Sequence, residues 1–108
     1  MTLQCGEVVV IRARFNQAAG AKVRPVLVLL DTGDDDFVAA PITSHARNSK
    51  YDLTLRDWRI SGLNVPSYVR IHKLTVLAKS EIVRKLAAVS ETDRNSVVEL
   101  LCMAFCQR

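Results

Sequence analysis

The chain has few of the residues that staple, break or unfold a polypeptide. Its three cysteines, Cys5, Cys102 and Cys106, are odd in number and too few for a secreted disulfide scaffold. Four glycines and three prolines in 108 residues exclude a collagen-like or low-complexity chain. Long apolar runs are missing too. The longest, Leu100 to Cys106, has seven residues, and a membrane-spanning helix needs about 20. Met1-Thr2-Leu3-Gln4-Cys5 shows no basic segment followed by an apolar stretch, so no signal peptide is expected and the cytoplasm is the expected compartment. Two histidines, His45 and His72, are too few for a His-rich metal site. The Gly-rich phosphate loop, G-x-S-x-G, Cys-x-x-Cys and His-Glu-x-x-His are absent. Neither a metal nor a cofactor is expected. Tyr51, Trp58 and Tyr68 are few enough to be read as packing residues rather than base-stacking platforms.

What is present describes one domain spanning residues 1–108. Apolar residues make up 49% of the chain, enough for a core and too much for intrinsic disorder. Fifteen Lys and Arg against eleven Asp and Glu give a net charge of +4, a modest bias toward phosphates. That charge is uneven. Between Glu7 and Asp31 stand Arg12, Arg14, Lys22 and Arg24 and no acid, whereas Asp34, Asp35 and Asp36 cluster in a turn.

The pattern predicts strands first and a helix last. Val8-Val9-Val10-Ile11 is β-branched throughout and fits a pleated surface. Residues 16–20 read as a loop. Val26 to Leu30 is a second strand with Pro25 at its entry, where a missing N–H is tolerated. Asp31 to Asp36 has turn chemistry, and Phe37 to Thr43 is a third strand, which makes an antiparallel hairpin. Asp52 to Leu55 reads as a short strand, Asp57 to Gly62 as a helical turn, and Val65 to Leu77 as a further strand carrying His72. Lys79 to Val89 suits either a helix or a turn leading into a last strand. Ser90 is an N-cap with acids in the turn that follows. The helix should run from Glu91 to about Cys106, with Val97, Val98, Leu101, Cys102 and Phe105 as its apolar stripe. That stripe would lie on the sheet or on a partner subunit, with Cys102 and Cys106 as small packing residues. The expected architecture is mainly β: a strongly bent, partly closed antiparallel barrel with a C-terminal α-helix.

Gly6-Glu7-Val8-Val9-Val10-Ile11, then Lys22-Val23-Arg24-Pro25-Val26-Leu27-Val28-Leu29, then Pro41-Ile42-Thr43-Ser44, and finally Pro66 to Leu74 before the helix form an ordered set. In this order and spacing the chain resembles the MazF/PemK toxins of bacterial toxin–antitoxin pairs, from about Gly6 to Phe105. The resemblance implies an SH3-like barrel, a homodimer, and a metal-independent, sequence-selective endoribonuclease that cuts single-stranded RNA. The products would be a 2′,3′-cyclic phosphate and a 5′-hydroxyl. It also implies a cognate antitoxin that lays an extended acidic segment across the RNA groove. The family's functional Arg falls on Arg24 and its functional Thr or Ser on Thr43. The loop around residues 14–23 would line the groove.

Elementary chemistry agrees with those positions. Attack by a ribose 2′-hydroxyl builds negative charge on the phosphate oxygens. A guanidinium offers a fixed fork of donors that stays charged, and Arg24 would stabilise that charge. Thr43 would donate to the same oxygens, with Ser44 able to share that role. If the strand continues, His45 lies on the same face as Thr43 and becomes a candidate for proton transfer. Arg12, Arg14 and Lys22 are candidate RNA contacts, with Arg70 and Lys73 as weaker ones. The chain also departs from the family pattern: residues 11–17 lack the acid often found there and carry two arginines. Three other readings share the fold: a non-catalytic nucleic-acid-binding or regulatory module, a toxin directed at gyrase, and a dimerising domain without a ligand.

Overall fold

A computed structural model describes residues 1–13 and 22–107. Among these residues seven antiparallel strands precede one α-helix: β1 Glu7–Ala13, β2 Lys22–Asp31, β3 Asp36–Thr43, β4 Asp52–Thr54, β5 Tyr68–Arg70, β6 Thr75–Ala78, β7 Ile82–Ala88 and α1 Glu91–Phe105. The loop expected at residues 16–20 lies outside the described residues.

The strand order is β4-β5-β3-β2-β1-β7, with β6 also paired to β3. The fold is therefore mainly β with a C-terminal helix, as expected. The sheet is not closed: among the described residues no ladder joins β7 to β4 or β6. A turn bridges part of that gap, where the Ala87 N–H donates to the Ser61 carbonyl at 3.2 Å.

The central strands bury both faces, so their sequences read as continuous apolar runs. Val8, Leu27 and Ala40 meet Leu55, Val69, Ile71, Val89 and Val97 on the helix side. Val9, Ile11, Val26, Val28, Phe37 and Ala39 pack with Leu3 on the other. Leu3 is held by its own N–H, which donates to Asp31 at 2.8 Å. Asp31 also pairs with Lys79 at 2.8 Å.

Three expectations, on residues 65–77, the helix stripe and the two helix cysteines, are corrected, and one left open is resolved. The strand expected over residues 65–77 is broken: a 3-10 turn at Ile71–Lys73 separates β5 from β6. Ile71 is fully buried and its N–H donates to the Tyr51 carbonyl, so the chain turns into the core there. His72 consequently sits in that turn, its ring centroid 5.4 Å from that of Tyr51. The helix stripe is rotated from the expected one. Asp93 and Val97 are the buried positions of α1, and Leu100 and Leu101 pack behind them. Val98 and Phe105 are about half exposed. The same rotation turns Cys102 and Cys106 outward, so they do not pack α1 on the core. The undecided segment after Lys79 resolves as a short 3-10 turn and a strand, not a helix.

Candidate nucleic-acid interface

The register that builds the sheet also builds a cleft. Val10 pairs with Pro25 on one side and with Arg84 on the other. Val26 pairs with Pro41. Beyond that last pair, Pro25 and Arg24 on β2 and Ile42 and Thr43 on β3 all border the same cleft. Arg84, Val10 and Pro25 thus form a row across β7, β1 and β2, and with Ile42 of β3 they line one cleft of about 440 Å³. Its floor is apolar and its rim polar.

Of the residues singled out from sequence, Lys22, Arg24, Thr43, Ser44 and His45 all border this cleft. Lys22 and Arg24 are exposed at the start of β2. Thr43 ends β3, where the ladder stops and the chain turns. Its Oγ1 accepts the His45 backbone N–H at 3.1 Å. That bond fixes the Thr43 hydroxyl and leaves its own proton to donate outward. Ser44 and His45 follow at once on the exposed bend.

The remaining candidates lie elsewhere. Arg12 is exposed on β1 but does not border the cleft. Arg70 is directed to Asp52, Nε to Oδ1 at 2.9 Å, and that carboxylate is almost wholly buried. That pair ties β5 to β4, and Arg70 does not border the cleft. Lys73 is exposed on the 3-10 turn, also outside the cleft. Arg14, and most of the loop it belongs to, lie outside the described residues.

The opposite wall is a turn that sequence reasoning did not assign to the site. Gly62, Leu63, Asn64 and Val65 face the cleft. Gly62 has φ of +90° and a Cβ there would meet Leu86 Cβ at 3.1 Å, so the wall and β7 touch only because this residue is glycine. The wall is tied to α1 by Asp93, whose carboxylate accepts the Arg56 and Asp57 N–H groups, each at 2.9 Å. Ser90 caps the helix by accepting the Asp93 N–H at 3.1 Å and donates to Asp57 at 2.7 Å. Arg84 was also missed. It lies in the segment after Lys79 that the pattern left undecided. Arg84 and Leu86 share the cleft side, whereas Ile82 packs on the other side of the sheet, so no regular alternation marked this strand.

The cleft is lined by Lys22, Arg24, His45 and Arg84 and by no Asp or Glu. A groove with cations on the rim and apolar surface beneath suits a flexible polyanion with stackable bases. Among the described residues no group of three His, Cys, Asp or Glu side chains is placed to hold a metal ion, and no helix is long and apolar enough to cross a membrane.

The sequence model of the PemK-like, MazF-like toxin of type II toxin–antitoxin system matches residues 4–105. No curated protein matches the chain. Solved structures do. One is an endoribonuclease in complex with its cognate antitoxin from a mycobacterial species, 19% identical with a TM-score of 0.75, covering 99% of this chain and 98% of that one. MazE–MazF from Deinococcus radiodurans is 23% identical with a TM-score of 0.75, covering 98% of each chain. The Mycobacterium tuberculosis toxin MazF-mt6 is 21% identical with a TM-score of 0.71, covering 93% of this chain and 98% of that one. At these identities the likeness is one of fold.

Proposed function

Since the chain belongs to the family of PemK-like, MazF-like toxins of type II toxin–antitoxin systems, we propose that it is a metal-independent, sequence-selective endoribonuclease acting on single-stranded RNA. The observation that carries this reading is that Arg24 and Thr43 border one acid-free cleft. In the reaction, the ribose 2′-oxygen attacks the adjacent phosphorus and the bond to the 5′-oxygen breaks. The products are a 2′,3′-cyclic phosphate and a 5′-hydroxyl. Arg24 holds the charge that builds on the phosphate oxygens. Thr43 donates its free proton to the same group, with Ser44 beside it. One proton leaves the 2′-hydroxyl and one reaches the 5′-oxygen, and the His45 imidazole is the candidate carrier. Lys22 draws in the neighbouring backbone.

The protein acts as a homodimer in the cytoplasm, and a cognate antitoxin neutralises it by laying an extended acidic segment in the cationic cleft. Support for a partner comes from two of the similar structures, a mycobacterial endoribonuclease in complex with its cognate antitoxin and MazE–MazF.

The test is to incubate purified protein with RNA in EDTA and to map the new ends. The expected result is cyclic-phosphate and 5′-hydroxyl ends at a recurrent sequence. Arg24→Ala should slow cleavage at least about a hundredfold, and Thr43→Val by a similar factor, while both keep the fold. An unchanged rate for Arg24→Ala removes that residue from the mechanism. Salt-dependent binding without any cut ends would favour the non-catalytic module instead.

A further inference from the structure

From the placement of Arg84 on β7 we infer a second phosphate site, distinct from the scissile one and one nucleotide step away from it. This inference rests on the RNA reading of the cleft. Arg84 and Pro25 flank Val10 on opposite sides, so their backbones lie two strand spacings apart, about 10 Å. Arg24 and Thr43, the chain neighbours of Pro25 and Ile42, border the same cleft. Between these two and Arg84 the floor is Val10 and Pro25, apolar and fit to carry a base while the backbone on either side meets a guanidinium.

Three further features single out Arg84 on its strand. First, β7 places one extra residue, Val83, between the partners of Val10 and Ile11: Val10 pairs with Arg84 and Ile11 with Ile82. Such a bulge sharpens the local twist and re-aims the neighbouring side chains. Second, the adjacent cation is already neutralised, since Lys85 pairs with Glu7 at 3.1 Å. Arg84 has no acidic partner among the described residues, and the cleft it borders contains no acid. Third, Arg84 is exposed, so its guanidinium keeps its reach, and a forked donor matches a phosphate well. A contact of this kind positions the strand and is indifferent to base identity.

The experiment compares wild type, Arg84→Met and Arg84→Lys on two substrates: a hexaribonucleotide containing the mapped cleavage sequence, and the dinucleoside monophosphate across the cut, which has one phosphate only. On the hexamer, Arg84→Met should raise KM about tenfold, leave kcat within about twofold, and lower the slope of log affinity against log salt by about one. Arg84→Lys should recover part of the loss. On the dinucleoside monophosphate all three proteins should behave alike, and their thermal melting should coincide. Equal losses on both substrates, or no loss on either, would overturn the second site. Binding of the same hexamer with a 2′-deoxy sugar at the cut reads Arg84 without any cleavage. A wild type that cuts nothing but binds this probe through Arg84 would fault the nuclease reading alone.

Discussion

At the scale of single residues, small bonds decide what a side chain is free to do. Thr43 sits where β3 runs out of partners, and accepting the His45 N–H turns a strand-forming residue into an aimed donor. Arg70 shows the reverse. It stands within the family-like stretch before the helix, but Asp52 claims its guanidinium. Nothing in the local sequence of either residue announces that pairing, because the partner is eighteen positions away and meets it only through the β4–β5 ladder. Asp31 is the most heavily bonded acid on the surface. The Lys79 ammonium, and then the Leu3 and Gly33 N–H groups, hold its pKa well below the usual carboxylate range. A carboxylate depressed in the folded state stabilises fully above its unfolded value of about 3.9 and loses that contribution as the pH falls toward the folded value. Asp31→Asn should therefore melt below wild type at neutral pH, and the gap should shrink between about pH 4 and pH 2. Thermal melts across that range check this, and a gap independent of pH would show that Asp31 acts through packing alone.

At the scale of elements, local pattern was enough where one segment buries a simple run, and failed where a segment answers to a distant neighbour. The β1, β2 and β3 strands were legible because they are continuous apolar runs with turn residues between them. The break between β5 and β6 was not, because Ile71 enters the core on a 3-10 turn despite its strand propensity. Helix α1 was legible in its start and length. Its buried face was not, since the position that fixes it is the polar Asp93, 1% exposed. A hydrophobic pattern cannot point to an acid. That carboxylate accepts two N–H groups from the turn leading into the cleft wall, so it couples helix, wall and site. Asp93→Ala would leave those partly buried donors unpartnered, at a cost of roughly 2–4 kcal/mol. For a chain of this length that corresponds to a fall in Tm of about 10–20 °C. The Asp57–Val65 wall should loosen first, seen as faster amide exchange there than in β1 and β2. Uniform protection loss across the sheet would mean that Asp93 holds the whole fold rather than this turn.

At the scale of the whole molecule, the cleft and the helix offer two separate surfaces. The cationic cleft lies over the ends of β2, β3 and β7, and the rotation of α1 leaves Val98, Met103 and Phe105 about half exposed. Val98, Cys102 and Phe105 recur at i, i+4 and i+7, one line along the helix. A small monomer rarely keeps such a stripe in water. In a homodimer a self-complementary patch of this kind is buried against its own copy. A Val98→Asp, Phe105→Asp pair would put two charges into that contact and leave the core, where Val97 does the packing, untouched. Light scattering at micromolar concentration should then give about twice 12.0 kDa for wild type and 12.0 kDa for the variant. The melting temperature of the variant should become independent of protein concentration, whereas that of wild type should rise with it. A variant that remains dimeric would move the interface off this helix and onto a sheet edge, where β7 has no neighbour beyond β1 among the described residues.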